Sequence, residues 1–180
     1  LNVIAEDLGD VTEDVIKLRD QLNIPSSRVL QFELDDMSPA EDYPTNSVIY
    51  TGTHDNDTIQ GWYESLPEIS SNGDILSKEE LRQSFQCTSK DIHWGIINYA
   101  LSTSSNTVII PVQDLLGIDS SGRFNTPGTL SKRNWTWRME EEHLTEAIKS
   151  NMAELTQTHG RNISKTNYTM GAKLETIEEK

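Results

Sequence analysis

At 180 residues the chain fits one ordinary domain or a piece of a larger one. Its 34% hydrophobic content builds a core with little surplus. The net charge of −14 argues against a nucleic-acid or anionic-membrane surface, which needs clustered Lys and Arg, and suits a soluble protein with a neutral ligand. No apolar run approaches the roughly 20 residues that a membrane helix requires.

In chain order, residues 2–6 read as a buried strand running into Glu6-Asp7-Leu8-Gly9. The chain starts Leu1-Asn2-Val3-Ile4-Ala5, without Met and without the layout of a signal peptide, so we expect an internal fragment. Residues 12–23 read as a helix, with Glu13 and Asp14 in its first turn and an apolar stripe of Val15, Leu18 and Leu22. Pro25 stops it. Residues 28–32 form the second expected strand, and a polar, Pro-bearing loop covers 34–46.

The third strand, Ser47-Val48-Ile49-Tyr50, leads directly into Gly52-Thr53-His54-Asp55-Asn56-Asp57. A helix starting near Asp57 carries Ile59, Trp62 and Tyr63. Ser77-Lys78-Glu79-Glu80 has capping-box spacing and opens a helix through Phe85. Ile92, Ile96 and Tyr99 mark a longer helix, and residues 106–111 a fourth strand around Val108-Ile109-Ile110. Residues 117–138 read as an aromatic loop. Leu144, Ile148, Met152 and Leu155 then space a last helix, with His159 in its final turn and Gly160 as its stop. Residues 161–180 are polar, without a period, and are expected to be a weakly ordered tail.

Strands alternating with helices predict an α/β fold with a parallel sheet: half of an eight-stranded barrel, or a small open sheet. Glu6 and Asp55 both follow strand ends, where a barrel gathers its active site. Glycosidic chemistry needs two carboxyl groups, one ionised and one protonated, and these two qualify by position. Equally, each can serve as a cap: Glu6 for the segment after it, Asp55 for the helix near Asp57.

Other candidates are weaker. Asp55-Asn56-Asp57 lacks the Gly and distal Glu of a calcium loop, and His54, His93, His143 and His159 have no zinc-ligand spacing. The single Cys87 excludes an intrachain disulfide and has no neighbouring base. Trp62, Trp94, Trp135 and Trp137 can stack on sugars, but tryptophan at helix spacing or in a packed loop is usually core. Asp7 reads as a structural acceptor or a participant, Arg138 as a brace for carboxylates or carbonyls, and residues 140–142 as a solvated helix start.

Two blocks, Ile4-Ala5-Glu6-Asp7-Leu8-Gly9 and Tyr50-Thr51-Gly52-Thr53-His54-Asp55-Asn56-Asp57-Thr58, resemble signatures of the 4-alpha-glucanotransferases (amylomaltases, glycoside hydrolase family 77). The similarity continues through Val29-Leu30-Gln31-Phe32, Gly61-Trp62, Ile110-Pro111-Val112-Gln113-Asp114, Arg123-Phe124-Asn125-Thr126-Pro127-Gly128-Thr129 and Asn134-Trp135-Thr136-Trp137-Arg138. It implies the C-terminal half of a (β/α)8 TIM barrel, about four strand–helix units, over residues 1–160, followed by a C-terminal tail at 161–180.

The resemblance also implies roles. Glu6 matches the general acid/base, which calls for a raised pKa from burial or a neighbouring carboxylate. Asp55 matches the carboxylate that stabilises the oxocarbenium-like transition state, His54 a donor to the sugar, and Asn125 a glucan contact. The implied reaction breaks an α-1,4 bond in maltooligosaccharide or starch and passes the glycosyl group to another 4-hydroxyl, with retention. No metal or organic cofactor, nucleic acid or membrane is implied, and the expected compartment is the cytoplasm. The family's nucleophilic Asp belongs to a strand expected before residue 1, so the partner implied is the N-terminal half of the barrel. Without it the chain is expected to be inactive. Alternatives are a non-catalytic glucan-binding remnant and a subunit of a split enzyme. Phe124 stands where the family usually has methionine.

Overall fold

The computed structural model describes residues 3–35, 38–70 and 76–162. Helix α1 (Glu13–Gln21) leads to strand β1 (Ser26–Val29), which passes without a loop into the short helix α2 (Leu30–Glu33). A 3-10 turn at Ala40–Asp42 precedes β2 (Ser47–Tyr50). Helices α3 (Ile59–Ser65), α4 (Lys78–Phe85) and α5 (Ile92–Ser102) follow. Strand β3 (Thr107–Ile109) and the short α6 (Val112–Leu115) come next, and α7 (Glu146–Thr158) closes the described part.

The sheet is parallel, in the order β1-β2-β3, with Ser26 opposite Ser47 and Val48 opposite Thr107. The alternation of strands and helices is therefore α/β, as expected. The last strand is shorter than the expected 106–111, and two further boundaries differ more. Residues 3–6 form no ladder, so among the described residues the sheet has three strands rather than four. They run beside β1 but are held through side chains: Ser27 Oγ donates to the Ala5 carbonyl at 2.8 Å, and the Ser27 amide donates to Asp7 Oδ1 at 2.6 Å. With its amide committed to a carboxylate, Ser27 has no donor left for a backbone ladder on that side.

The second strand ends at Val29, not at Phe32. A strand would place Leu30, Phe32 and Leu34 on one face. The helical turn instead buries Leu30 and Leu34 fully and turns Phe32 outward, 63% exposed. It also aims Gln31 at the loop after β2, which matters below.

The helix signals behave as their chemistry predicts. Ser77 and Glu80 close a reciprocal capping box, with Ser77 N–H to Glu80 Oε2 at 2.8 Å and Glu80 N–H to Ser77 Oγ at 3.3 Å. Thr58 caps α3 by accepting from the Gly61 amide, and Thr145 caps α7 from the Ile148 amide. Helix α7 ends at Thr158, His159 is its cap, and Gly160 takes the left-handed conformation at φ +63°.

The core sits between the sheet and α3, α4 and α5. Helix α5 buries Ile92, Ile96, Ile97, Ala100 and Leu101, which meet Ile49 of β2, Ile59 of α3 and Leu81 of α4. Each fully buried Leu or Ile contributes roughly 1.5–3 kcal/mol. Trp62 and Trp94 pack at the edge of this cluster, the core role expected of them. By contrast α1 buries no residue: the stripe of Val15, Leu18 and Leu22 forms as read, but it faces outward. Arg161 is docked at the end of α5, donating to the carbonyls of Leu101, Thr103 and Ser105. The rest of the expected tail, 163–180, lies outside the described residues.

Candidate active site

Beyond β2 the Thr51 amide still reaches the Ile109 carbonyl at 3.3 Å; then the chain leaves the sheet. The departing loop, residues 52–58, is tied at both ends by two side chains. From α2, Gln31 Nε2 donates to the Thr51 carbonyl (3.2 Å) and the Asp57 carbonyl (2.8 Å). From α6, Asp114 accepts from Thr51 Oγ1 (2.6 Å) and the Ile59 amide (2.8 Å). Gly52 packs closely under this bridge: a Cβ there would lie 3.0 Å from Gln31 Nε2, so the amide would have to give by a few tenths of an ångström. Inside the loop Asn56 Oδ1 accepts from the amide and hydroxyl of Thr53, a local turn that needs no neighbour.

Asp114 is fully buried, and burial pushes its carboxyl up to about 6; the bonds from Thr51 and Ile59 oppose that rise and the nearby Asp57 adds to it. Gly61, one turn into α3, admits the next layer. A Cβ there would meet Ser120 Oγ at 2.3 Å and Asp57 Oδ1 at 2.7 Å, and the Ser120 hydroxyl donates to Asp57 Oδ2.

Asp55 and His54 stand at the crest of the loop, each side chain 47% exposed. His54 Nε2 lies 3.5 Å from Asp55 Oδ1, and the same oxygen accepts from Asn125 Nδ2 at 2.6 Å. Arg123 reaches across: Nη2 donates to the Asp55 carbonyl (2.8 Å), Nε to the Asn125 carbonyl (2.9 Å), and Nη1 is 3.9 Å from Asp57 Oδ2. Trp135 is held in the left-handed region at φ +65°, with its amide on the Phe124 carbonyl at 2.8 Å. Its ring lies 5.2 Å from His54, and Phe124 meets it edge-on.

A cavity of about 640 Å³ opens at the carboxyl ends of β2 and β3. Glu6 and His54 line it together with Tyr50, Asp114, Arg123 and Trp137. Of the expected site residues, Asp55 thus meets both His54 and Asn125. Glu6 shares the cavity with His54 but makes no hydrogen bond or ion pair with another described residue. It is exposed, so the burial that an acid/base role calls for is not supplied by the described part of the chain. Its neighbour Asp7 is structural, paired with Arg19 at 2.5 Å and bonded by the Ser27 amide.

Arg138 braces carbonyls, those of Trp135 and Trp137. Trp135 and Trp137 depart from the core role: the first is half exposed beside His54, the second lines the cavity. Gln31, Asp114 and Arg123 lay inside blocks legible in the sequence, yet nothing in their spacing signalled that they converge on one loop. No group of three or more His, Cys, Asp or Glu able to hold a metal occurs among the described residues.

The fold and cavity define an α/β protein with a largely apolar cleft, carrying Glu6 and Asp57, at the carboxyl ends of its parallel strands. The chain belongs to glycoside hydrolase family 77, the 4-alpha-glucanotransferases, whose sequence pattern it matches over residues 1–145. It is 40% identical over 164 residues to a chloroplastic/amyloplastic 4-alpha-glucanotransferase of Oryza sativa subsp. japonica, a match covering 89% of this chain and 26% of the relative. A 4-alpha-glucanotransferase of Streptococcus pneumoniae is 36% identical over 165 residues, covering 89% and 32%. Among solved structures, amylomaltase from Streptococcus agalactiae in complex with acarbose superposes with a TM-score of 0.77 at 30% identity, over 89% of this chain and 32% of that one. The chain therefore spans about a quarter to a third of the relatives it matches.

Proposed function

We propose that this chain is the C-terminal part of the catalytic barrel of a 4-alpha-glucanotransferase, about four strand–helix units of a (β/α)8 barrel over residues 1–160 with a polar tail at 161–180. The parent enzyme transfers a segment of an α-1,4-glucan, a maltooligosaccharide or starch, to the 4-hydroxyl of another sugar by retaining double displacement. Glu6 acts as general acid/base, protonating the departing glycosidic oxygen and later taking the proton of the incoming hydroxyl. Asp55 carries the negative charge that stabilises the oxocarbenium-like transition state. His54 and Asn125 orient it and donate to the sugar. The proposed compartment is the cytoplasm; the rice relative is chloroplastic/amyloplastic.

The observation that carries this reading is Asp55, bonded by Asn125 and 3.5 Å from His54, with His54 lining the same cavity as Glu6. We further propose that an N-terminal half of the barrel, bearing the nucleophile, covers Glu6 and the outward stripe of α1; their exposure supports this. The experiment is disproportionation of maltotriose. The chain alone should yield neither glucose nor longer oligosaccharides, and adding a polypeptide that supplies the N-terminal half should restore both. Turnover by the chain alone would require another nucleophile and would overturn the assignment.

A further inference from the structure

We propose that Arg123 is a positioning residue that locks Asp55 and Asn125 into a single receptor for the sugar; this rests on the roles proposed above for those two residues. The two side chains meet at 2.6 Å although they lie 70 positions apart, on loops that belong to no common sheet or helix. A hydrogen bond between two solvent-facing groups contributes little on its own and does not hold two loops in register. The register is set by the guanidinium, which spans the backbones themselves: Nη2 on the Asp55 carbonyl and Nε on the Asn125 carbonyl.

Charge pairing with Asp57 is the competing role for Arg123. At 3.9 Å that contact is the longest of the three, whereas the two short bonds go to neutral carbonyls. The fork of the guanidinium, not its charge, is therefore what the site uses. A lysine ammonium is a single point of donation and cannot serve two carbonyls through fixed, divergent N–H groups. The Asp55 loop is fixed from below by Gln31 and Asp114 irrespective of Arg123. The Asn125 side is the one that depends on it.

The test is made on the 180-residue chain by 1H–15N NMR, following the side-chain amide pair of Asn125 in wild type, Arg123→Lys, Arg123→Gln, Asp55→Asn and a control, Arg28→Gln, from the Arg28–Glu33 ion pair. Both Arg123 variants should move the Asn125 amide toward the position of a free carboxamide, as Asp55→Asn does. The control should leave it in place. The backbone signals of Thr51 and Ile59 should stay put in every Arg123 variant, which a general loss of structure would not allow. An Asn125 amide unmoved in Arg123→Lys, or one that moves only together with Thr51 and Ile59, overturns the proposal. If Arg123→Gln fails to fold, the charge-conserving Arg123→Lys decides. With the N-terminal half supplied, Arg123→Lys should lower kcat on maltotriose by about tenfold to a hundredfold, the effect of a misplacement of about 1 Å. Absence of any wild-type turnover in that mixture would sink the glucan reading while the NMR result on Arg123 stands.

Discussion

From Thr51 to Ile59 the chain is tied by Gln31, by Asp114 and by its own Asn56 turn; from Val3 to Leu8 it has one ion pair, Asp7 to Arg19, and two bonds to Ser27. The first segment stands on a sheet whose underside is the buried core of Ile49, Ile59 and Ile96. The second carries Val3 and Ile4 half exposed. The second also carries Glu6, which lines the cavity, and the first carries Asp55 beside the cavity-lining His54, yet only Asp55 is pre-oriented by the chain's own elements. Glu6 sits at the rim without a described partner. Under the proposed reading, in which a second half of the barrel completes the site, the Asp55 wall is built by this chain and the Glu6 wall is left to its neighbour.

The sharpest way to break this comparison is to remove matter from under each carboxylate. Ile49→Ala, beneath the Asp55 loop, should cost about 2–5 kcal/mol in urea unfolding. A cost under about 1 kcal/mol would mean that the loop is not supported by this core.

Next comes Asp114. Its carboxyl is raised to about 6 in the folded chain from an ordinary 3.8. Between those values the folded state holds a proton that the unfolded state has lost, so this group's contribution to stability is fully present below about pH 4 and is lost as pH rises through about 6. The stability of wild type relative to Asp114→Asn should accordingly fall by a few kcal/mol, about 1.4 per pH unit, across that window and level off above it. A difference flat from pH 4 to 7 would show that the carboxyl titrates normally.

Gln31→Ala frees the Thr51 and Asp57 carbonyls and should cost about 1–3 kcal/mol. Hydrogen exchange should quicken within residues 52–58 before it does elsewhere. The smallest effect belongs to the other segment: Ile4→Ala should change stability by less than about 0.5 kcal/mol, as an exposed site does. Should it cost as much as Ile49→Ala, the Glu6 side is held as firmly as the Asp55 side and the contrast disappears.

Much of this was legible from local chemistry. The capping box at Ser77 and Glu80, the stop at Gly160, strand β2 and the placement of His54-Asp55 after its end all follow from residue types at short spacing. The limits of such reading are equally local. Residues 2–6 look like a strand because they are apolar, but a strand also needs a neighbour whose amides are free, and that of Ser27 is taken by Asp7. Residues 28–32 are apolar enough for a strand, yet the chain gains more by turning at Leu30, which buries Leu34 and delivers Gln31 to the loop. Trp135 and Trp137 fit a core or a sugar-stacking role by sequence, because composition does not reveal which face a loop presents.

The α/β alternation, the family and the four candidate residues are all readable along the chain, since they depend on patterns within a few dozen consecutive positions. Only the tertiary structure decided what holds them. The residues that hold the loop around Asp55 come from positions 31, 114, 123 and 125, and no local period relates them. Hydrogen bonds of 2.6–3.2 Å between residues 20 to 70 positions apart exist because packing the helices on a parallel sheet brings the carboxyl ends of its strands, and the loops that leave them, to one edge.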